Sequence, residues 1–185
     1  MKQLFALSAI GRDRPGIVAD LAELIYECDC NLEDSRMTIL GSEFAVLLLL
    51  SGQGPDAERR LSAGCKRLEW EKRLTVFFRP LEGDAPRTQP PGRMLECTVT
   101  GADKAGIVAR IARTLADHGA NVADLRTELR PPEPESGTPI YTMRLVMRLA
   151  PAVDERALRA QLERDAAALC VDLTVGEPGS LPDDR

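Results

Sequence analysis

The sequence predicts an α+β protein in which one strand–helix–strand–strand–helix–strand unit is built twice. Three observations predict it. Gly11-Arg-Asp-Arg-Pro-Gly-Ile-Val-Ala19 recurs at Gly101-Ala-Asp-Lys-Ala-Gly-Ile-Val-Ala109, and Asn31-Leu-Glu-Asp-Ser-Arg36 recurs at Asn121-Val-Ala-Asp-Leu-Arg126. Both matches hold at one shift of 90 residues without a gap, far beyond the roughly 20–50 residues of a solenoid unit, so a whole domain is duplicated. Within each copy, short runs of alternating polarity are separated by runs with helical spacing of apolar residues.

The first strands are expected at about 2–10 and 93–100. In the second, Leu95, Cys97 and Val99 alternate with Glu96, Thr98 and Thr100, which buries one face and wets the other. A helix follows at about 15–29, with Ile17, Val18, Leu21, Leu24, Ile25 and Cys28 on one side. Its twin carries Ile107, Val108, Ile111, Leu115 and His118. Asn31 and Asn121 stand where the chain turns into a second strand. Leu40-Gly-Ser-Glu43 then closes a tight hairpin in the first copy, whereas the second has the longer, proline-rich loop 131–139.

The third strands differ. In the second copy Tyr141, Met143, Leu145, Met147 and Leu149 alternate with Thr142, Arg144 and Arg148, so one face is solvated. Phe44-Ala-Val-Leu-Leu-Leu-Leu50 does not alternate, which predicts cover on both faces. Second helices are expected at about 56–72 and 154–168, the latter with Asp154 as N-cap. Final strands are expected at about 74–79 and 171–176.

Right-handed connections turn βαββαβ into a four-stranded antiparallel sheet with both helices on one face, the ferredoxin-like arrangement. Residues 1–80 and 93–176 form the two expected domains. The Pro-, Gly- and charge-rich 81–92 is a linker and 177–185 a tail. Domains of this size bury only about 60–65% of their unfolded surface and gain from packing on a twin.

A formal charge of −5 and pI near 5.1, with the basic residues interspersed among acidic ones, argue against direct nucleic-acid binding. Five cysteines at unmatched positions of the two copies make no disulfide framework and fit a reducing cytoplasm. The longest apolar stretch, Phe44–Leu50, is too short to span a membrane, and no signal peptide precedes the first strand. Cys28-Asp-Cys30 lacks the second pair that a zinc site needs, and His118 is the chain's one histidine. No metal, cofactor or catalytic pair is expected.

What both copies keep beyond core is the turn after the first strand. Gly11 relieves crowding where the strand stops, and Pro15 suits the first helical position. Gly16 leaves the helix start without a side chain, so its free N–H groups and dipole favour a carboxylate. Asp13 can accept from an ammonium. Together these groups suit the backbone of a free α-amino acid. The structural alternative has Asp13 capping the helix, Gly16 permitting close packing, and Asn31 and Asn121 supplying left-handed turn residues.

The Gly-Arg-Asp-Arg-Pro-Gly-Ile-Val turn with its helix, followed by Asn-Leu-Glu-Asp-Ser-Arg, resembles ACT domains, regulatory modules that bind amino acids. Two such copies with Asn31-Leu-Glu-Asp-Ser-Arg-Met-Thr-Ile-Leu-Gly-Ser-Glu-Phe44 are similar to the tandem ACT repressors of glycine cleavage systems. The resemblance covers about 2–176. It implies ligand sites at the first strand–helix turns, usually at an interface between two such domains, and repression through a transcriptional activator protein rather than DNA. By position it implies a binding set of Asp13, Arg14, Pro15, Gly16, Ile17 and Asn31. The second set is Asp103, Lys104, Ala105, Gly106, Ile107 and Asn121. Ala105 and the long 131–139 loop depart from the pattern and weaken the second site. The expected partners are therefore a small free amino acid such as glycine, an activator protein and further copies of the chain, with no membrane. A dimerisation module with vestigial sites and a small ferredoxin-like enzyme are the competing readings.

Overall fold

The computed structural model describes residues 2–53, 56–81, 91–131 and 139–179. Most of the expected linker (82–90), the long loop (132–138) and the end of the tail (180–185) lie outside these residues. The chain divides into two compact units, Met1–Arg87 and Thr88–Arg185.

The first unit runs β1 (Lys2–Arg12), α1 (Ile17–Glu27), β2 (Cys30–Leu40), β3 (Glu43–Gln53), α2 (Asp56–Lys72) and β4 (Thr75–Leu81). The second repeats it as β5 (Arg93–Ala102), α3 (Ile107–Asp117), β6 (Ala120–Arg130), β7 (Ile140–Leu149), α4 (Glu155–Leu169) and β8 (Asp172–Gly176). The sheets have the orders β2-β3-β1-β4 and β6-β7-β5-β8, and every neighbouring pair is antiparallel. This is the ferredoxin-like order, twice.

The register shows why one face is core. Phe5, Leu7 and Ala9 lie opposite Leu50, Leu48 and Val46, so alternate residues of β1 and β3 share one pleat face. These residues join Ile17, Leu21, Leu24 and Ile25 of α1 and Leu61, Cys65 and Leu68 of α2 in one buried cluster. Both helices therefore cover the same face. In the second unit Leu95, Cys97 and Val99 pack with Met143, Leu145 and Met147 under Ile111, Leu115, Leu158 and Leu162. Asp154 caps α4 as expected, its carboxylate accepting from the Ala157 N–H at 3.0 Å.

Two expectations need correction. β3 is not covered on both faces: Phe44, Val46, Leu48 and Leu50 point into the core, but Leu47 is 58% exposed. Both helices occupy the other side of the sheet, so an unbroken apolar run here marks an open apolar face rather than a sandwiched strand. The turn from α1 into β2 does not use Asn in a left-handed conformation. Asp29 (φ 55°) takes that role in the first unit and Gly119 (φ 72°) in the second, while Asn31 and Asn121 are already strand residues. No described helix is long and apolar enough to cross a membrane.

Candidate functional site

The two β–α turns superimpose in kind. α1 begins at Ile17 and α3 at Ile107, each preceded by a glycine N-cap with left-handed backbone, Gly16 at φ 92° and Gly106 at φ 98°. Non-glycine residues rarely adopt that conformation, which accounts for the glycine in both copies. The alternative of close packing fails. A Cβ at Gly16 would meet only Arg14 Nη1 at 3.7 Å, and one at Gly106 would meet nothing within 4 Å. The space above each helix start is open.

Neither helix start is capped by a side chain. Asp13 and Asp103 are exposed, and neither carboxylate has a hydrogen bond or ion pair among the described residues. The first-turn N–H groups and an adjacent carboxylate thus remain available together. Asp13 is held by its backbone, whose N–H donates to the Ser42 carbonyl at 2.8 Å. Pro15 lies before the N-cap rather than at the first helical position, so Ala105 in its place leaves the helix start of the second unit unchanged. Ile17 and Ile107 are 2% exposed core residues, able to offer a ligand only their backbone.

Arg14 borders the space above Gly16 but is already committed to other partners. Its guanidinium pairs with Asp20 at 2.5 Å and donates to the Pro15 carbonyl at 3.2 Å. The Arg14 guanidinium and the Lys72 ammonium hold the Asp20 carboxyl below its ordinary range. Lys104 instead donates to the Leu169 carbonyl at 3.1 Å, closing the end of α4.

The asparagines stand elsewhere. Asn31 lies opposite Ser51, which lies opposite Leu4, whereas Gly11 lies opposite Phe44. Seven residues of β1 therefore separate the level of Asn31 from that of the turn, roughly 23 Å along the strand. The second unit shows the same offset, with Asn121 level with Met94 and the turn at Gly101. One unit cannot bring its own asparagine to its own helix start.

Each asparagine is followed by a register irregularity, between Leu32 and Asp34 and between Val122 and Asp124. Such bulges re-aim neighbouring side chains. Their surroundings differ in charge. Glu33 is held by Lys2 and by the Ser51 hydroxyl, each at 2.6 Å. Asn121 instead lines a hollow of about 330 Å³ with Gly119, Val122, Ala123 and Arg148.

Three features escaped the sequence. Ser42, which anchors Asp13, is reached only through the hairpin register. Tyr141 lies opposite Gly101 beside the second turn, where the first unit has Phe44. Its hydroxyl is buried without a hydrogen-bond partner among the described residues, and burial, then the nearby Asp103, raises its pKa. A Tyr–Phe difference between aligned copies was the available signal. The third is a basic hollow of the first unit formed by the ends of two helix-flanking turns.

An ACT domain family model matches residues 3–79 and 93–128. The glycine cleavage system transcriptional repressor of Escherichia coli (strain K12) is 28% identical over 167 residues, 90% of this chain and 84% of that protein. A protein of unknown role from Galdieria sulphuraria shares the fold at a TM-score of 0.75 and 28% identity, over 96% of this chain and 99% of that one. The structure of a proposed glycine cleavage system transcriptional repressor matches at TM-score 0.69 and 22% identity, over 95% and 97% of the two chains. Both of the relatives just described that carry a stated role are named as transcriptional repressors. The chain belongs to the ACT-domain family, with two such units in tandem.

Proposed function

We propose that this protein senses a small free amino acid at its β–α turns and transmits occupancy to a transcriptional activator protein, as a glycine-cleavage-type repressor. One observation carries the reading. In both units an uncapped helix start with a left-handed glycine opens onto empty space beside an unpaired aspartate. Helix N–H groups suit a carboxylate, and the aspartate suits an ammonium. The kinship with the Escherichia coli repressor supports the regulatory half of the proposal.

The asparagine belongs to this reading only from a different ACT unit, because its own unit holds it about seven strand residues away. The proposed sensor is therefore an assembly of ACT units, consistent with a homo-oligomer. A ligand of about five non-hydrogen atoms, such as glycine, gains at most roughly 7–8 kcal/mol, which limits affinity to about micromolar. Such a sensor responds to metabolite pools.

Calorimetry against each free amino acid tests the proposal. One small amino acid should bind, and Asp13→Ala should weaken it roughly 10- to 100-fold through loss of a charge-assisted bond of about 1.5–3 kcal/mol. No heat with any amino acid would favour the dimerisation module with vestigial sites. Capture of an activator protein should change with that amino acid present, and occupancy-independent capture would remove the sensing step.

A further inference from the structure

The first unit has a hollow of about 310 Å³ between its β1–α1 and α2–β4 turns, lined by Arg12, Arg14, Lys72, Arg73 and one carboxylate, Glu71. Asp20 lies behind Arg14 and Lys72 and is shared by both, with Lys72 Nζ at 3.0 Å. Four cations thus face two carboxylates in a chain whose formal charge is −5. Arg12 and Arg73 have no side-chain hydrogen bond or ion pair among the described residues.

The fold builds this convergence. A Cβ at Gly11 would lie 2.7 Å from Leu74 Cδ2, so the glycine lets the α2–β4 turn close against the end of β1. That closure sets Arg73 beside Arg12. Arg73 has φ 55°, a backbone that glycine adopts without strain. An arginine kept there is a reason to look for work by its side chain.

The second unit has the same turn without the charge. Val171 sits under Gly101 as Leu74 sits under Gly11, and Cys170 has φ 54° in the place of Arg73. By the same alignment Ala102 replaces Arg12 and Leu169 replaces Lys72, leaving Lys104, which is bonded to the Leu169 carbonyl. The turn geometry therefore needs none of these cations.

We propose that the hollow of the first unit binds a small multivalent oxyanion, of the phosphate or tricarboxylate class, as a second ligand site that borders the β1–α1 turn but rests on Arg12, Lys72 and Arg73 rather than on Asp13 and the helix start. Arginine forks match such oxygens in pairs, and four cations converge here on two carboxylates, leaving a net positive charge. The hollow is within the size range of small-ligand sites. An acidic protein segment is the weaker occupant, because the chain's net negative charge repels a long polyanion. The proposal does not depend on the amino-acid reading.

Calorimetry of the full chain at low salt, with inorganic diphosphate and with citrate, tests it. At least one should bind saturably with one site per chain, and binding should weaken as salt rises. Arg73→Gly suits the left-handed backbone and should leave thermal stability unchanged or raised. With Arg12→Ala it should lower anion affinity at least tenfold, whereas Lys104→Ala, in the other unit, should leave it unchanged and Asp13→Ala, which removes a negative charge beside the hollow, should not lower it. Saturable binding of neither anion would overturn the proposal, as would affinity surviving Arg12→Ala/Arg73→Gly. Binding of polyglutamate without diphosphate or citrate would also overturn it and assign the surface to an acidic partner. Because Asp13→Ala should weaken the amino acid without weakening the anion, failure of either site is read independently.

Discussion

At the residue scale, the duplicated glycines are explained by backbone conformation. Gly16→Ala or Gly106→Ala places a Cβ on a residue with φ above 90°. Each should cost about 1–2 kcal/mol in urea denaturation followed by circular dichroism. An unchanged midpoint would mean the glycines serve only ligand access. The cysteines give a second test. Cys170 is exposed and the other four are buried, with burial pushing the Cys65 and Cys97 thiols up to about 12. One thiol per native chain should react with a disulfide reagent at pH 8, and five after denaturation. Asp13 and Gly16 were legible because the duplication repeats them. The position of Asn31 was not, because recurrence in sequence carries no information about which end of a sheet a residue occupies.

At the element scale, the units use different chemistry where their helices meet. In the second, Asp165 is 2% exposed and accepts from Thr114 at 2.5 Å, Arg110 at 2.9 Å and Gln161 at 3.1 Å, tying α3 to α4. The aligned positions of the first unit hold Leu24 and Leu68 in its core. Burial raises the Asp165 carboxyl, but these three donors outweigh it, so its pKa lies below the ordinary value. A lowered folded-state pKa gives stability that is complete above about pH 4 and is lost as pH falls further. Asp165→Leu alone should cost about 1–3 kcal/mol by leaving the Thr114 hydroxyl buried without its partner. Adding Thr114→Leu should restore most of it, since a matched apolar pair is often as stable as a buried polar one. Hydrogen exchange in α3 and α4 reads both effects, and the acid loss should vanish in the double variant. Helix spacing made α2 and the Asp154 cap legible from sequence, while β1, β4 and β5 end about two residues later than expected because backbone pairing continues past the apolar pattern. The apolar run of β3 misled because a sheet face left bare by helices reads like one covered twice.

At the scale of the whole molecule, the chain is two ferredoxin-like units of one family, each with an uncapped, glycine-led helix start at one sheet end and an asparagine at the other. The duplication showed the unit and its order without ambiguity. It hid the divergence in charge, where the first unit gathers Arg12, Lys72 and Arg73 and the second places Arg148 beside Asn121. Titration of the isotopically labelled chain with glycine and other small amino acids, read at single backbone amides, tests the central claim most directly. The account predicts saturable shifts at the first-turn amides of α1, Ile17 to Ala19, whose midpoint moves to a roughly 10- to 100-fold higher concentration in Asp13→Ala. Saturation that leaves these amides still, or no saturation with any amino acid, would contradict it.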